Sequence, residues 1–373
     1  MAQKIISSKN GYSELDVWFR ENGITKVFLV CDESIGFLSG ITDKLNEIES
    51  NGVTVVRFSD FRPNPAYESV VKGVDAFRRG KCEAIIAVGG GSAIDVAKCI
   101  KLYSRMDSDG SDGSYLKTEI VPNDIPFLAM PTTAGTGSEA TRYAVIYYDG
   151  KKQSVTSESS IPGTVLMDPG ALKTLPPYQK KATMCDALCH AIESFWSVNS
   201  TEKSKRYSIA AIQGVLENMD GYLANSEDGN AGMLRAAHMA GKAINVTQTT
   251  AGHAMCYKIT SLFRAAHGHA AILCDRVLFP WMIDNTDKCV DPRGEGYLNR
   301  TLNEIGVAMG CGSAREGAEK LNAIFTGLEL SVPEANEEQF AEMRVSVNPI
   351  RLKNHPVSLD EKTIDELYRR ILR

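Results

Sequence analysis

The stretch from Cys82 to Lys98, CEAIIAVGGGSAIDVAK, decides the fold. Its first half is an unbroken run of apolar, β-prone residues, the pattern of a short strand buried on both faces. Gly89, Gly90 and Gly91 close the run, and at about Ser92 the spacing turns helical. Neighbouring segments repeat the alternation: KVFLVCD (26–32), GVTVVRFSDF (52–61) and IPFLAMPTT (125–133) are strand-like runs separated by helical patterns. Short buried strands joined by helices predict an α/β domain whose parallel sheet is covered by helices on both sides.

The texture changes at about Pro176. YQKKATMCDALCHAIESFWS (178–197), KSKRYSIAAIQGVLENMDGYL (203–223) and MLRAAHMAGKAINV (233–246) all repeat at helical period with few strand candidates between them. The proline pair in LKTLPPYQ makes the natural boundary, because proline disfavours helix before it and tolerates the first turn after it. The expectation is an α/β dinucleotide-binding domain over 1–175 and an all-helical metal and substrate domain over 176–373, with a cleft between them. SRMDSDGSDGSYLKTEI (104–120), rich in Ser, Asp and Gly, reads as a flexible loop.

Composition narrows the function classes. The 373 residues carry 41 Lys plus Arg against 46 Asp plus Glu, a formal charge of -5, with no basic run or aromatic-studded basic stripe. Nothing there points to a nucleic acid. The N-terminus lacks an apolar signal-peptide core, and no stretch reaches the roughly 18 to 20 uncharged residues of a membrane span. Nine Cys with no CxxC pair suit reduced thiols. A cytoplasmic location without membrane attachment is expected.

Two groups of residues carry candidate chemistry. At the glycine turn, backbone can approach a ligand closely and the free amides of a helix N-terminus favour a diphosphate. The spacing is not G-x-G-x-x-G, since Ile94 stands where the third glycine would fall, so a plain strand-to-helix turn is the competing reading. Asp32, closing KVFLVCD, suits the ribose hydroxyls of NAD and would repel the extra phosphate of NADP, or else caps the next helix. PTTAGTGSEAT (131–141) offers a second polar loop after a strand. The other group involves histidine, of which there are six. Asp186 and His190 lie four apart on one helical face, half of a metal site or a simple hydrogen-bonded pair. AGHAMCYKITSLFRAAHGHAAILC adds His253, His267 and His269. Fourteen residues of unbroken helix would hold His253 and His267 about 21 Å apart, so sharing an ion requires a break near Phe263 to Ala266. His238 and His355 read as ordinary surface or packed histidines.

Together these segments resemble the iron-containing, group III alcohol dehydrogenase family. GGGSAIDVAK, PTTAGTGSEAT, DALCHAIE and HAMCYKIT followed by HGHAAILC stand in the family's order and spacing, over about residues 20 to 370. The resemblance implies NAD(H) and one divalent metal, Fe²⁺ or Zn²⁺, held by Asp186, His190, His253 and His267. It also implies dinucleotide contacts from Asp32, Asn64, Gly90, Gly91, Ser92, Thr132, Thr133, Thr141, Val145 and Lys152. His269 is one residue beyond the ligand pattern. Tyr257 departs from the family, which commonly carries a second His there.

TRYAVIYYDGKKQSVT, HAMCYKITSLF and SVNPIRLKNHP resemble the family branch that reduces sulfoacetaldehyde and phosphonoacetaldehyde. That likeness implies NADH-dependent reduction of a small anionic aldehyde, sulfoacetaldehyde to isethionate first, by a homo-oligomer of two or more subunits. A tetrahedral anion needs donors and a cation, which makes Arg142, Thr249, Tyr257 and Lys258 the candidate substrate contacts. The rivals are phosphonoacetaldehyde reduction, a general short-chain alcohol dehydrogenase, a dehydroquinate synthase relative, which DALCHAIE argues against, and a non-catalytic nucleotide- or metal-binding regulator.

Overall fold

A computed structural model of the chain describes residues 3–347 and 349–372. Asn348, in the segment SVNPIRLKNHP, lies outside the described residues. Two compact units emerge: Met1–Thr133 with Gly137–Leu175, and Ala134–Thr136 with Pro176–Arg373.

The first unit contains strands β1 (Lys4–Ser7), β2 (Lys26–Cys31), β3 (Thr54–Phe58), β4 (Ala84–Gly89), β5 (Phe127–Pro131), β6 (Tyr143–Tyr148), β7 (Lys151–Thr156) and β8 (Thr164–Met167). Its helices are α1 (Lys9–Glu21), α2 (Ser39–Ser50), α3 (Tyr67–Gly80), α4 (Gly91–Tyr103) and the short α5 (Ser114–Lys117). Six strands form one parallel sheet in the order β1-β8-β5-β4-β2-β3, while β6 and β7 pair as an antiparallel hairpin. Alternate residues of the central strands feed two separate cores. Phe28, Val30, Ile85, Ala87, Phe127 and Ala129 pack on one face. Val27, Leu29, Ile86, Val88, Leu128 and Met130 pack on the other. This double burial explains why these strands read as continuous apolar runs. Each fully buried Phe, Leu or Ile contributes about 1.5–3 kcal/mol through removal from water.

The strand order creates a crevice. The chain leaves β2 toward β3 and leaves β4 toward β5, on opposite sides of the β2–β4 pair. At such a reversal the loops beyond the carboxyl ends diverge and leave room for a ligand. Asp32 follows β2, and Gly90 caps α4 directly after β4.

The Ser/Asp/Gly-rich stretch expected to be a flexible loop is tied down. Tyr115 is buried there, its hydroxyl donating to the Ser108 carbonyl (2.9 Å) and its amide donating to the Tyr67 hydroxyl (3.1 Å). Its ring stacks on Tyr103 at 4.7 Å. One aromatic anchor outweighs the turn-forming composition around it.

The second unit is helical: α6 (Pro177–Trp196), α7 (Glu202–Leu223), α8 (Glu227–Thr247), α9 (Ala251–Phe263), α10 (His267–Asp284), α11 (Glu295–Ala308), α12 (Ala314–Gly327), α13 (Glu337–Ser346), α14 (Pro349–Leu352) and α15 (Glu361–Ile371). Pro177 occupies the first turn of α6, where its missing amide costs nothing. Thr201 and Ser204 form a reciprocal capping box at the start of α7. Among the described residues, no helix is long and apolar enough to cross a membrane.

Candidate active site

Three helices of the second unit supply the donors. Asp186 and His190 project from α6, His253 from the first turn of α9, and His267 opens α10. The break required between the last two is present: α9 ends at Phe263, and Arg264 turns the chain with a left-handed φ of 54°. Tyr178 fixes the start of α10. Its hydroxyl accepts from the Ala266 amide (2.9 Å) and pairs with His269 Nδ1 (3.0 Å), whose Nε2 meets the Ser331 carbonyl (2.8 Å). His269 is thus spent on structure. Gly268 permits close packing on α6, since a Cβ there would lie 2.0 Å from the Ala182 carbonyl oxygen.

Asp186, His253 and His267 each bring one ligand atom into a group whose members lie within 4.8 Å of one another. Asp186 Oδ1 stands 3.5 Å from His253 Nε2 and 3.9 Å from His267 Nε2. His190 stands beside this trio. Its ring stacks on His253 at 4.4 Å, and its Nδ1 lies 3.9 Å from Asp186 Oδ2. Asp186 Oδ1, His190 Nδ1 and His253 Nε2 are all buried without a hydrogen-bond partner. Orphaned polar atoms of this kind are rare and costly, and those of Asp186 and His253 lie 3.5 Å apart. One carboxylate oxygen and neighbouring imidazole nitrogens fit a divalent ion such as Fe²⁺ or Zn²⁺. The site opens on one side, for the His267 side chain is 35% exposed while those of Asp186 and His253 are 3% and 1%.

Electrostatics agree with the donor set. Burial alone would raise the Asp186 carboxyl, but the surrounding imidazoles outweigh it and hold the group well below the usual range. Burial opposes a charged His253, yet Glu193 and Asp186 overcome it and raise that imidazole. Burial lowers His190. The negative field that retains a proton on His253 is the field a metal cation would satisfy.

The first unit gathers most of the expected dinucleotide residues at the carboxyl ends of β2, β4 and β5. Asp32 Oδ1 accepts from the Ser34 amide (2.9 Å), so the capping role is present, while a Cβ on Gly89 would sit 3.8 Å from Asp32 Oδ2. Gly90, Gly91 and Ser92 begin α4, and a Cβ on Gly90 would touch Thr133 at 3.2 Å. The Thr132 amide donates to the Gly89 carbonyl (3.0 Å). Asn64 has a left-handed φ of 59° in the loop after β3. Thr141, Val145 and Lys152 lie on or beside the hairpin, outside that glycine turn.

Sequence reasoning missed the pair that anchors this loop. Lys98, fully buried on α4, donates to the carbonyls of Ser138 (2.6 Å), Thr141 (2.7 Å) and Tyr143 (2.7 Å). Asp95, one turn earlier, accepts from the Ser138 hydroxyl (2.6 Å) and the Val145 amide (2.9 Å). The signal was in plain view as D-x-x-K inside the opening stretch.

Among the expected substrate contacts, the two cations are engaged elsewhere. Arg142 pairs with Glu158 (2.7 Å) and donates to the Tyr143 hydroxyl. Lys258 pairs with Glu342. Thr249 is buried, and its carbonyl accepts from Asn354 (3.2 Å). Tyr257 stacks on His267.

Comparison with known proteins agrees with this architecture. The family described as iron-containing alcohol dehydrogenase matches residues 2–169, and the C-terminal part of the Fe-containing alcohol dehydrogenase family matches 180–372. A long-chain-alcohol dehydrogenase of Geobacillus thermodenitrificans is 32% identical over 67% of this chain, a match spanning 62% of that relative's length. A phosphonoacetaldehyde reductase of Streptomyces viridochromogenes is 28% identical over 80% of this chain and 79% of its own. The crystal structure of sulfoacetaldehyde reductase from Bifidobacterium kashiwanohense, in complex with NAD+, matches with a TM-score of 0.87. It is 25% identical and covers 99% of this chain and 96% of that one. The chain belongs to the iron-containing alcohol dehydrogenase family, oxidoreductases that use NAD(H) and a divalent metal.

Proposed function

We propose that the protein reduces a small anionic aldehyde to its alcohol with NADH, sulfoacetaldehyde to isethionate being the foremost candidate. The observation that carries the reaction class is the pair Asp186 Oδ1 and His253 Nε2, 3.5 Å apart, buried, and both without a hydrogen-bond partner. We assign Asp186, His190, His253 and His267 as the metal ligands. When bound, a divalent ion supplies Lewis-acid polarisation of a carbonyl, and NADH supplies the hydride.

The chain's own residues do the positioning. We assign Asp32, Asn64, Gly90, Gly91, Ser92, Thr132, Thr133, Thr141, Val145 and Lys152 to the dinucleotide. Amides at the start of α4 suit its diphosphate, and Asp32 suits its ribose. Tyr257 shields one face of His267 and presents a hydroxyl able to hold a proton near the substrate oxygen. Thr249 adds a polar group just before α9.

Support for an anionic substrate comes from the sulfoacetaldehyde reductase structure and the phosphonoacetaldehyde reductase sequence, each similar across most of this chain. We keep Arg142 and Lys258 as the cations assigned to the anion, although each is paired with a carboxylate, Glu158 and Glu342 respectively. The test is a panel of sulfonated, phosphonated, carboxylated and neutral short aldehydes with NADH. Sulfoacetaldehyde should give the highest kcat/KM by about tenfold or more, an advantage that Lys258→Ala should lower. A higher value for phosphonoacetaldehyde would move the assignment to that acid, and equal turnover of butyraldehyde would remove the anionic reading.

A further inference from the structure

Glu193 lies on the same face of α6 as Asp186 and His190, seven and three residues beyond them, yet stands outside the ligand set. It is wholly buried. Both oxygens are fully used. Oε2 accepts from the Thr250 amide (2.6 Å) and the Thr250 hydroxyl (2.6 Å). Oε1 accepts from the His253 amide (3.0 Å) and contacts His253 Nδ1. The Trp196 indole N–H donates to Thr250 Oγ1 (2.8 Å) and holds that hydroxyl in place.

Thr250 is the N-cap of α9 and makes no side-chain cap of its own. A carboxylate from another helix takes over that task and brings negative charge to the positive end of α9. Gly252 allows the approach, because a Cβ there would lie 2.7 Å from Glu193 Oε1 and 1.9 Å from Asp275 Oδ1. Every partner on Glu193 is a donor, so a glutamine, which must present an amide NH₂ on one side, cannot satisfy them all.

We propose that Glu193 is the positioning residue for the metal ligand His253: it holds the Nδ1–H and thereby aims Nε2 at Asp186 and the cation. An imidazole whose Nδ1 proton is fixed by a carboxylate presents its Nε2 lone pair in one direction and binds a metal more tightly. The proposal rests on the reading of His253 as a ligand.

The test measures Zn²⁺ affinity by chelator competition, the visible spectrum of the Co²⁺-substituted protein, and NADH binding by fluorescence. Glu193→Gln should bind Zn²⁺ roughly 10- to 100-fold more weakly and alter the Co²⁺ bands, with NADH affinity unchanged, and Glu193→Asp should recover part of the loss. Zn²⁺ affinity within about threefold of wild type and an unaltered Co²⁺ spectrum would overturn the proposal. A second measurement needs no variant to fold. In the metal-free wild-type protein, His253 should show a downfield, exchange-protected Nδ1–H resonance by NMR, and its absence would equally overturn it. His253→Ala separates the two layers: full Zn²⁺ affinity in that variant removes His253 from the ligand set, whereas lost affinity there with none lost in Glu193→Gln defeats the positioning role alone.

Discussion

The ring of Tyr257 lies nearly parallel to that of His267, with centroids 5.3 Å apart and planes 24° apart. His267 is the most exposed of the grouped donors, so the tyrosine restrains the imidazole that packing restrains least. An aromatic pair of this kind is worth about 0.5–1.5 kcal/mol, or roughly a 2- to 10-fold change in affinity. Tyr257→Ala should therefore weaken Zn²⁺ binding by that factor, while Tyr257→Phe keeps the stack and the metal. Equal metal affinity in the Ala variant would show that the stack does not hold the ligand. A fall in kcat in Tyr257→Phe, with Zn²⁺ affinity unchanged, would report on the hydroxyl.

Asp32 combines a cap with a free direction: Oδ1 accepts from Ser34, and Oδ2 faces the glycine turn. Asp32→Asn keeps the cap geometry and removes the charge, which isolates its electrostatic effect. The NADPH to NADH ratio of kcat/KM should rise about tenfold or more, equivalent to about 1.4 kcal/mol. A ratio that does not move would place the carboxylate away from the ribose.

The parts of the fold legible in the sequence are those with a physical signature in a single segment. β2, β4 and β5 read correctly because burial on both faces forces unbroken apolar runs. β1 and β8 hold four residues each, too few for a period. The hairpin was legible and went unread: Asp149 and Gly150, with φ of 49° and 66°, form the Asp-Gly turn that joins β6 to β7. In the site, Asp186 and His190 follow from one helical face, and the break before His267 follows from the length of a helix. Glu193 shares that face, but its role depends on Thr250 and His253 arriving from another helix. The carboxylates on Arg142 and Lys258 likewise come from separate segments, Glu158 and Glu342, which local pattern does not reveal.

Lys98 ties Ser138, Thr141 and Tyr143 together through their carbonyls, and burial pushes its pKa down to about 8. Lys98→Met would leave those carbonyls and the neighbouring Asp95 without their cation. Removing one partner from a buried ionic network costs about 3–5 kcal/mol. Thermal unfolding should show a marked loss of stability, and the folded fraction should have a raised KM for NADH with Zn²⁺ affinity intact. A variant with wild-type melting temperature and NADH KM would show that the clamp does not organise the loop.

His355 carries the pH prediction. It is fully buried beside Trp196, with ring centroids 6.3 Å apart and planes at 88°, and neither ring nitrogen has a hydrogen-bond partner. Burial pushes its pKa down to about 4, against the weaker opposing pull of Glu193. The unfolded chain has an ordinary histidine near 6.5. Between these values the unfolded state takes up a proton that the folded state refuses, so stability is complete above about pH 6.5 and falls as the pH drops toward 4. Below that, both states are protonated and this contribution levels off. The gap corresponds to a loss on the order of 3 kcal/mol. His355→Phe keeps a ring beside Trp196 and removes the titration. Urea unfolding of the metal-free protein at pH 7 and pH 4.5, followed by tryptophan fluorescence, should show the variant losing less stability than wild type over that interval. The same loss in both proteins would assign the acid sensitivity to other groups and leave His355 without a part in it.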